Sequence, residues 1–355
     1  MENKTKKIEL SRLIPGMILA KAIEKNGIKL LGKNVILTSN YIEKIKKMDL
    51  DMKIEVYDDS ELEEQIQSVI KKSEEKFSRK KEILLQVHKN LKNIYEKLDS
   101  NSKISILEFK NIQEYVLEEM KDYSIILKSI MDYRKEDECL YKHCVNVGIL
   151  SYMLGKWLGF SKEQLLYLSY TGFLHDIGKI KIDKEVLNKR RILTDDEFSE
   201  VKTHAVVGYE IAKNIHNIDE SILMGILMHH ERCDGTGYPL KIKGEKIHDF
   251  AKIVAIADEF DTMTSSLVYK KTRTSFEALK IIKNQSVNKL DYKYVNKFIE
   301  GIINCYIGEK VKLSNGKIAK IIKIDIDNID RPLLTIGSDF IDLKTTKNIN
   351  ITDVV

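Results

Sequence analysis

Phe173-Leu174-His175-Asp176-Ile177-Gly178-Lys179 is the stretch on which the reading of this chain turns. It closes an apolar run that begins at Leu168. Downstream stand His204, then His229-His230-Glu231 at the end of the apolar run Ile222 to Met228, then Asp258 inside Val254-Ala255-Ile256-Ala257. His143 precedes them all. A lone ionisable side chain inside apolar sequence is costly to bury. A buried carboxylate needs a cation or several hydrogen bonds. Histidine and aspartate together are the donors of a hard-to-borderline divalent metal. The pattern therefore points to a metal-dependent hydrolase. His88, His216 and His248 lie in polar contexts and read as surface residues.

The rest of the chain sets the frame. Its 355 residues allow two or three domains, and 43% hydrophobic with 32% charged residues describes an ordinary soluble protein. The net charge of +5 is the difference between 59 basic and 54 acidic residues, which gives no nucleic-acid footprint. Three prolines suit a mainly helical chain. Cys139, Cys144, Cys233 and Cys305 form no CxxC pair and suggest a reducing compartment. No segment has the apolar length of a membrane span and Met1 to Leu10 lacks the apolar core of a signal peptide, so a cytoplasmic protein is expected.

Four parts are expected. Residues 1–59 read as a small α+β module: a turn at Leu13-Ile14-Pro15-Gly16-Met17, strands Ile28 to Leu31 and Val35 to Leu37, a helix from Tyr41 to Met48, and a strand at Ile54 to Val56. Residues 60–103 read as a helical linker or stalk. Leu84, Val87, Leu91, Ile94 and Leu98 form an a/d stripe of about two heptads. Such a helix either packs on its own chain or pairs in a homodimer, and the short stripe favours the former. Residues 104–307 read as helical, with runs at Ile106 to Met131, Cys144 to Leu158, Lys162 to Leu174, Asp195 to Ile215 and Ile218 to Met228, then 245–267 and 275–284. Thr194 and Glu197 have the spacing of a capping box. Residues 308–355 switch to a strand period around Asn315-Gly316, a hairpin signal.

The order His143, His175-Asp176, His204, His229-His230, Asp258, with Gly237-Tyr238-Pro239 between, resembles the HD-GYP family of HD-domain phosphohydrolases. The resemblance covers about residues 140–300. It implies an all-helical catalytic domain that hydrolyses cyclic di-GMP to linear pGpG or GMP by attack of a metal-bridging hydroxide. It assigns His143, His175, Asp176 and Asp258 to one metal, and His204, His229 and His230, with Asp176 bridging, to a second. Lys179 would face the substrate phosphate, and Gly237, Tyr238 and Pro239 would form a ligand-side loop. That loop is also where a diguanylate cyclase or another signalling protein would bind. The donor set suits two iron or manganese ions per chain.

Two departures qualify these expectations. Some relatives hold a third metal with a glutamate four residues before the first histidine. Here Cys139 stands there, and the neighbouring Glu138 would point about 100° away on a helix. A two-metal centre is therefore expected, with Asp261, one turn after Asp258, as a further participant. An Arg-Pro-Tyr-Arg string common in the family reads Leu267-Val268-Tyr269-Lys270 here. Lys270 keeps a charge for a phosphate, but Leu267 loses one. One missing charge-assisted hydrogen bond costs about 1.5–3 kcal/mol, roughly tenfold to 150-fold in affinity. Weak hydrolysis, a binding role without turnover, or preference for another cyclic dinucleotide are the alternatives.

Overall fold

The computed structural model describes residues 5–25, 28–33, 35, 37, 41–42, 45–46, 53–57, 60–109, 112, 123–133, 140–187, 189, 191–265, 273–337 and 339–354. Cys139, Glu138, Leu267 and Lys270 lie outside the described residues, as does much of the expected Tyr41–Met48 helix. The chain divides into two compact units, Met1–Arg79 and Lys80–Val355.

In the first unit, β1 (Thr5–Ile8) pairs antiparallel with β4 (Ile54–Tyr57), and β2 (Ile23–Lys25) with β3 (Ile28–Leu31). Leu13, Met17, Leu19, Ile23, Leu37, Ile42, Ile45, Ile54 and Val56 form its core. Val35 and Leu37 are not in a strand. They meet the Gly16–Leu19 segment through single backbone bonds, such as Gly16 N–H to the Leu37 carbonyl.

Helix α1 (Ser60–Asp99) runs through the boundary between the units. Its stripe Leu84, Val87, Leu91, Ile94 and Leu98 is buried in the core of the second unit. The stripe therefore packs on its own chain, and these side chains offer no seam to a second copy.

The second unit is mainly helical: α2 (Tyr123–Tyr133), α3 (Leu140–Leu158), α4 (Lys162–Leu174), α5 (Lys184–Leu187), α6 (Asp195–Lys202), α7 (His204–Ala212), α8 (Glu220–Met228), α9 (Asp249–Thr264), α10 (Ser275–Gln285) and α11 (Tyr292–Tyr306). The run expected from Ile106 opens as a 3-10 turn, Ile106–Phe109. The expected helix Asp195 to Ile215 is broken at Thr203. There the Thr203 backbone N–H bonds the Glu200 carbonyl, three residues back, and this tightened last turn separates α6 from α7. The Thr194–Glu197 capping box is present at its start.

Helices α3 and α4 meet backbone to backbone. A Cβ on Gly172 would lie 2.5 Å from the Gly148 Cα, so no larger side chain fits there. This contact brings the start of α3 beside the end of α4. The C-terminal sheet has the order β8-β7-β6-β5-β9, formed by Lys310–Leu313 (β5), Ile318–Asp325 (β6), Asn328–Ile336 (β7), Asp339–Asp342 (β8) and Ile351–Val354 (β9). All its pairings are antiparallel, and its inner residues Val311, Leu313, Ala319, Ile321 and Leu334 join the helical core. The sheet thus buries its apolar face on the helices, as half-buried antiparallel sheets do.

Candidate metal centre

Each predicted histidine stands at or near a helix terminus, where backbone groups lack intrahelical partners. His175 follows α4, and its Nδ1 donates to the Gly172 carbonyl at 2.8 Å. His204 opens α7, and its Nδ1 donates to Val201 at 2.5 Å. His229 follows α8, and its Nδ1 donates to Ile226 at 2.6 Å. The spacing is three residues in all three cases. A carbonyl can only accept, so the proton sits on Nδ1 and the neutral ring presents a bare Nε2. His143, on the first turn of α3, is held differently: its Nδ1 meets the Asp261 carboxylate at 2.8 Å.

These Nε2 atoms converge. Asp176, His204, His229 and His230 form one group, and His143, His175 and Asp258 a second, with the donor atoms of each within 4.8 Å of one another. The Nε2 atoms of His204 and His229 face each other at 3.2 Å. Asp176 Oδ1 lies 3.3 Å from His204 Nε2. On the other side, Asp176 Oδ2 lies 3.4 Å from His175 Nε2 and 3.7 Å from His143 Nε2. His143 Nε2 is also 3.1 Å from Asp258 Oδ1. Asp176 therefore faces both groups. All seven predicted ligand residues are brought together.

The electrostatics follow from burial. Burial drives the pKa of His175 and His204 down, and those of His229 and His230 further, so all four are neutral lone-pair donors at pH 7. Burial acts the same way on His143, but Asp258 and Asp261 outweigh it and raise its pKa to about 10. Burial opposes the charge on Asp176 and Asp258. Lys179 and the histidines around Asp176, and His143 beside Asp258, nevertheless hold both well below the usual carboxylate range. Lys179 sits on the 3-10 turn Ile177–Lys181 with its Nζ 2.6 Å from Asp176 Oδ2.

The arrangement fits a cation. Two bare imidazole nitrogens at 3.2 Å repel unless positive charge lies between them. His175 Nε2 and Asp176 Oδ1 are buried and have no hydrogen-bond partner among the described residues. Orphaned buried acceptors are rare and call for an ion or water. The donors are imidazole and carboxylate, with no thiolate.

The Gly237-Tyr238-Pro239 loop closes over this floor. The Tyr238 ring stacks on His230 with centroids 4.6 Å apart, and the Tyr238–Pro239 peptide is cis. The loop is held by Glu231, a buried carboxylate that accepts from the backbone N–H groups of Leu240, Lys241 and Ile242. Arg232 pairs with Glu259 at 2.8 Å and donates to the His229 and Glu231 carbonyls at the end of α8. Sequence reasoning gave neither residue a role. The signal available was Glu231 next to a ligand pair, a charge too close to apolar sequence to be idle. His248, expected at the surface, is half-buried, and its Nδ1 caps α9 by accepting from Phe250 N–H.

Comparison with known proteins agrees with this geometry. Residues 130–293 match the HD domain family model. The chain is 30% identical over 192 residues to the cyclic di-GMP phosphodiesterase PdeB of Borreliella burgdorferi, covering 54% of this chain and 50% of that one. It is 28% identical over 180 residues to the 3'3'-cGAMP-specific phosphodiesterase 1 of Vibrio cholerae, covering 50% and 41%. Bd1817, a HDG"Y"P protein from Bdellovibrio bacteriovorus, has the same fold: TM-score 0.52, 17% identity, covering 83% of this chain and 98% of that one. The chain spans about half the length of the relatives it matches. The HD domain match over residues 130–293 includes all seven donor residues, from His143 to Asp258.

Proposed function

We propose that the protein is a metal-dependent phosphodiesterase that hydrolyses cyclic di-GMP to pGpG, GMP or both. The convergence of uncompensated Nε2 and Oδ1 atoms around Asp176 carries the proposal. His204, His229 and His230 would hold one metal, and His143, His175 and Asp258 the other, with Asp176 between them. Two divalent ions, iron or manganese for this donor set, would supply Lewis acidity and bring the pKa of water to about 7.

The side chains do the remainder. The Nδ1 bonds of His175, His204 and His229 fix which nitrogen faces inward. Lys179 keeps its charge, because Asp176 offsets the burial that would otherwise lower its pKa. Its ammonium would meet a phosphodiester oxygen and stabilise charge that develops there. Tyr238, stacked on His230, walls the ligand side. The same loop is our candidate surface for a signalling partner such as a diguanylate cyclase.

The test is anaerobic turnover of cyclic di-GMP by iron- or manganese-loaded protein, with metal counted and products separated. Linear product at about two metals per chain, lost in Asp176→Ala, is the expected result. No product from a filled centre refutes the assignment of this substrate. A second reading, another cyclic dinucleotide, is favoured by the similarity to the 3'3'-cGAMP-specific enzyme of V. cholerae. Running 3'3'-cGAMP in the same assay decides between them.

A further inference from the structure

Tyr95 is almost fully buried on the last turns of α1, remote in sequence from every histidine and aspartate of the centre. Its hydroxyl donates to the Phe173 carbonyl at 2.8 Å and lies 3.3 Å from the Cys144 sulfur. Both partners adjoin the same metal group. Cys144 follows His143 on α3. Phe173 lies two residues before His175, at the end of α4. The last carbonyls of α4 have no intrahelical donors. The His175 ring takes the Gly172 carbonyl, and Tyr95 takes the next one. The Tyr95 ring is itself fixed edge-on against Tyr141, one turn from Cys144, with centroids 5.3 Å apart.

We infer that Tyr95 is a positioning residue for the His143–His175–Asp258 group: one hydroxyl from α1 bridges the end of α4, two residues before His175, and Cys144 beside His143. The inference rests on the metal-centre reading above. Without the hydroxyl, the Phe173 carbonyl becomes a buried acceptor with no donor, and the segment bearing His175 must move to satisfy it. Partners behind a metal ligand commonly change metal affinity 10–100-fold. Tyr95 acts one bond further back, so about tenfold is expected. The Asp176–His204–His229–His230 group takes three of its four residues from outside α3 and α4 and should change little.

The experiment is calorimetric titration of Mn2+ into the metal-stripped full chain. Wild type is compared with Tyr95→Phe, which keeps the ring and its packing on Tyr141. Leu98→Ala is the control: it loosens α1 by removing a buried side chain but leaves the hydroxyl in place. Expected are two binding steps in wild type, one of them weakened about tenfold in Tyr95→Phe, and neither weakened in Leu98→Ala despite a lower melting temperature. Two unchanged steps in Tyr95→Phe overturn the inference. So does the same weakening in Leu98→Ala, which would reduce Tyr95 to general stability. A wild-type chain that takes up no Mn2+ removes the centre itself, a different outcome visible without any mutation.

Discussion

Gly178→Ala should empty half of the centre without touching a ligand. A Cβ at this position would lie 2.0 Å from the His204 carbonyl oxygen, 2.7 Å from the Gly208 nitrogen and 2.8 Å from the His204 carbonyl carbon. All three are backbone atoms of α7, so no side chain can rotate away. The oxygen contact falls roughly 1.4 Å short of van der Waals distance, and either the 3-10 turn or α7 must retreat by about that much. The turn follows Asp176 directly and α7 opens with His204, whose Nε2 stands 3.3 Å from Asp176 Oδ1. Metal–ligand distances tolerate only about 0.2 Å. A shift near 1 Å costs on the order of 100-fold in a positioned site, and overpacking of this kind costs about 1–3 kcal/mol of stability. Metal should be counted by mass spectrometry after dialysis against micromolar Mn2+, with melting followed in parallel. The alanine variant should hold about one metal per chain where wild type should hold about two, because the His143–His175–Asp258 group does not involve α7. A folded variant that retains both metals at wild-type affinity refutes the reasoning.

Other perturbations separate the parts of the site. Asp261→Ala removes the carboxylate that orients His143 and should weaken metal binding by about 10–100-fold; titration with Mn2+ checks this, and unchanged affinity would mean that α3 alone places the ring. Glu231→Ala takes the acceptor from three backbone N–H groups, at a cost of about 1.5–3 kcal/mol or more. It should raise KM while leaving metal content intact, so loss of metal would show that Glu231 supports the floor and not only the loop. His248 has its pKa lowered from 6.5, chiefly by burial, and only its neutral ring can accept from Phe250. Its contribution is therefore complete above pH 6.5 and is lost as pH falls through the lowered value. His248→Asn caps at every pH; the two melting curves should converge above 6.5 and diverge below it with wild type lower, and parallel curves would count against the cap.

What the sequence revealed was what local pattern encodes. The Thr194–Glu197 box and the Asn315-Gly316 turn between β5 and β6 are short-range devices, and both form. The histidines and aspartates were legible because charge inside apolar runs is expensive and needs a reason. The a/d stripe of α1 was legible as a buried face, but nothing in it named the face it would meet. Tyr95 was invisible for the same reason. Its partner Phe173 is 78 residues away, and a tyrosine on a helix gives no sign of which distant carbonyl it will reach. The break at Thr203 is hidden because apolar periodicity continues across it, whereas the three-residue backbone bond that closes α6 leaves no periodic trace. Pairing of β9 with β5 is likewise a long-range choice.

His175 and Asp176 are consecutive residues, yet they belong to different groups of donors. A single peptide unit, rigid by resonance, thus spans the two cation positions. Freezing the His175 ring by ligation would also freeze the backbone that aims the Asp176 carboxylate. Much of the ordering entropy would then be spent on the first ion. In titration calorimetry the second of the two Mn2+ steps should consequently carry the smaller entropic penalty.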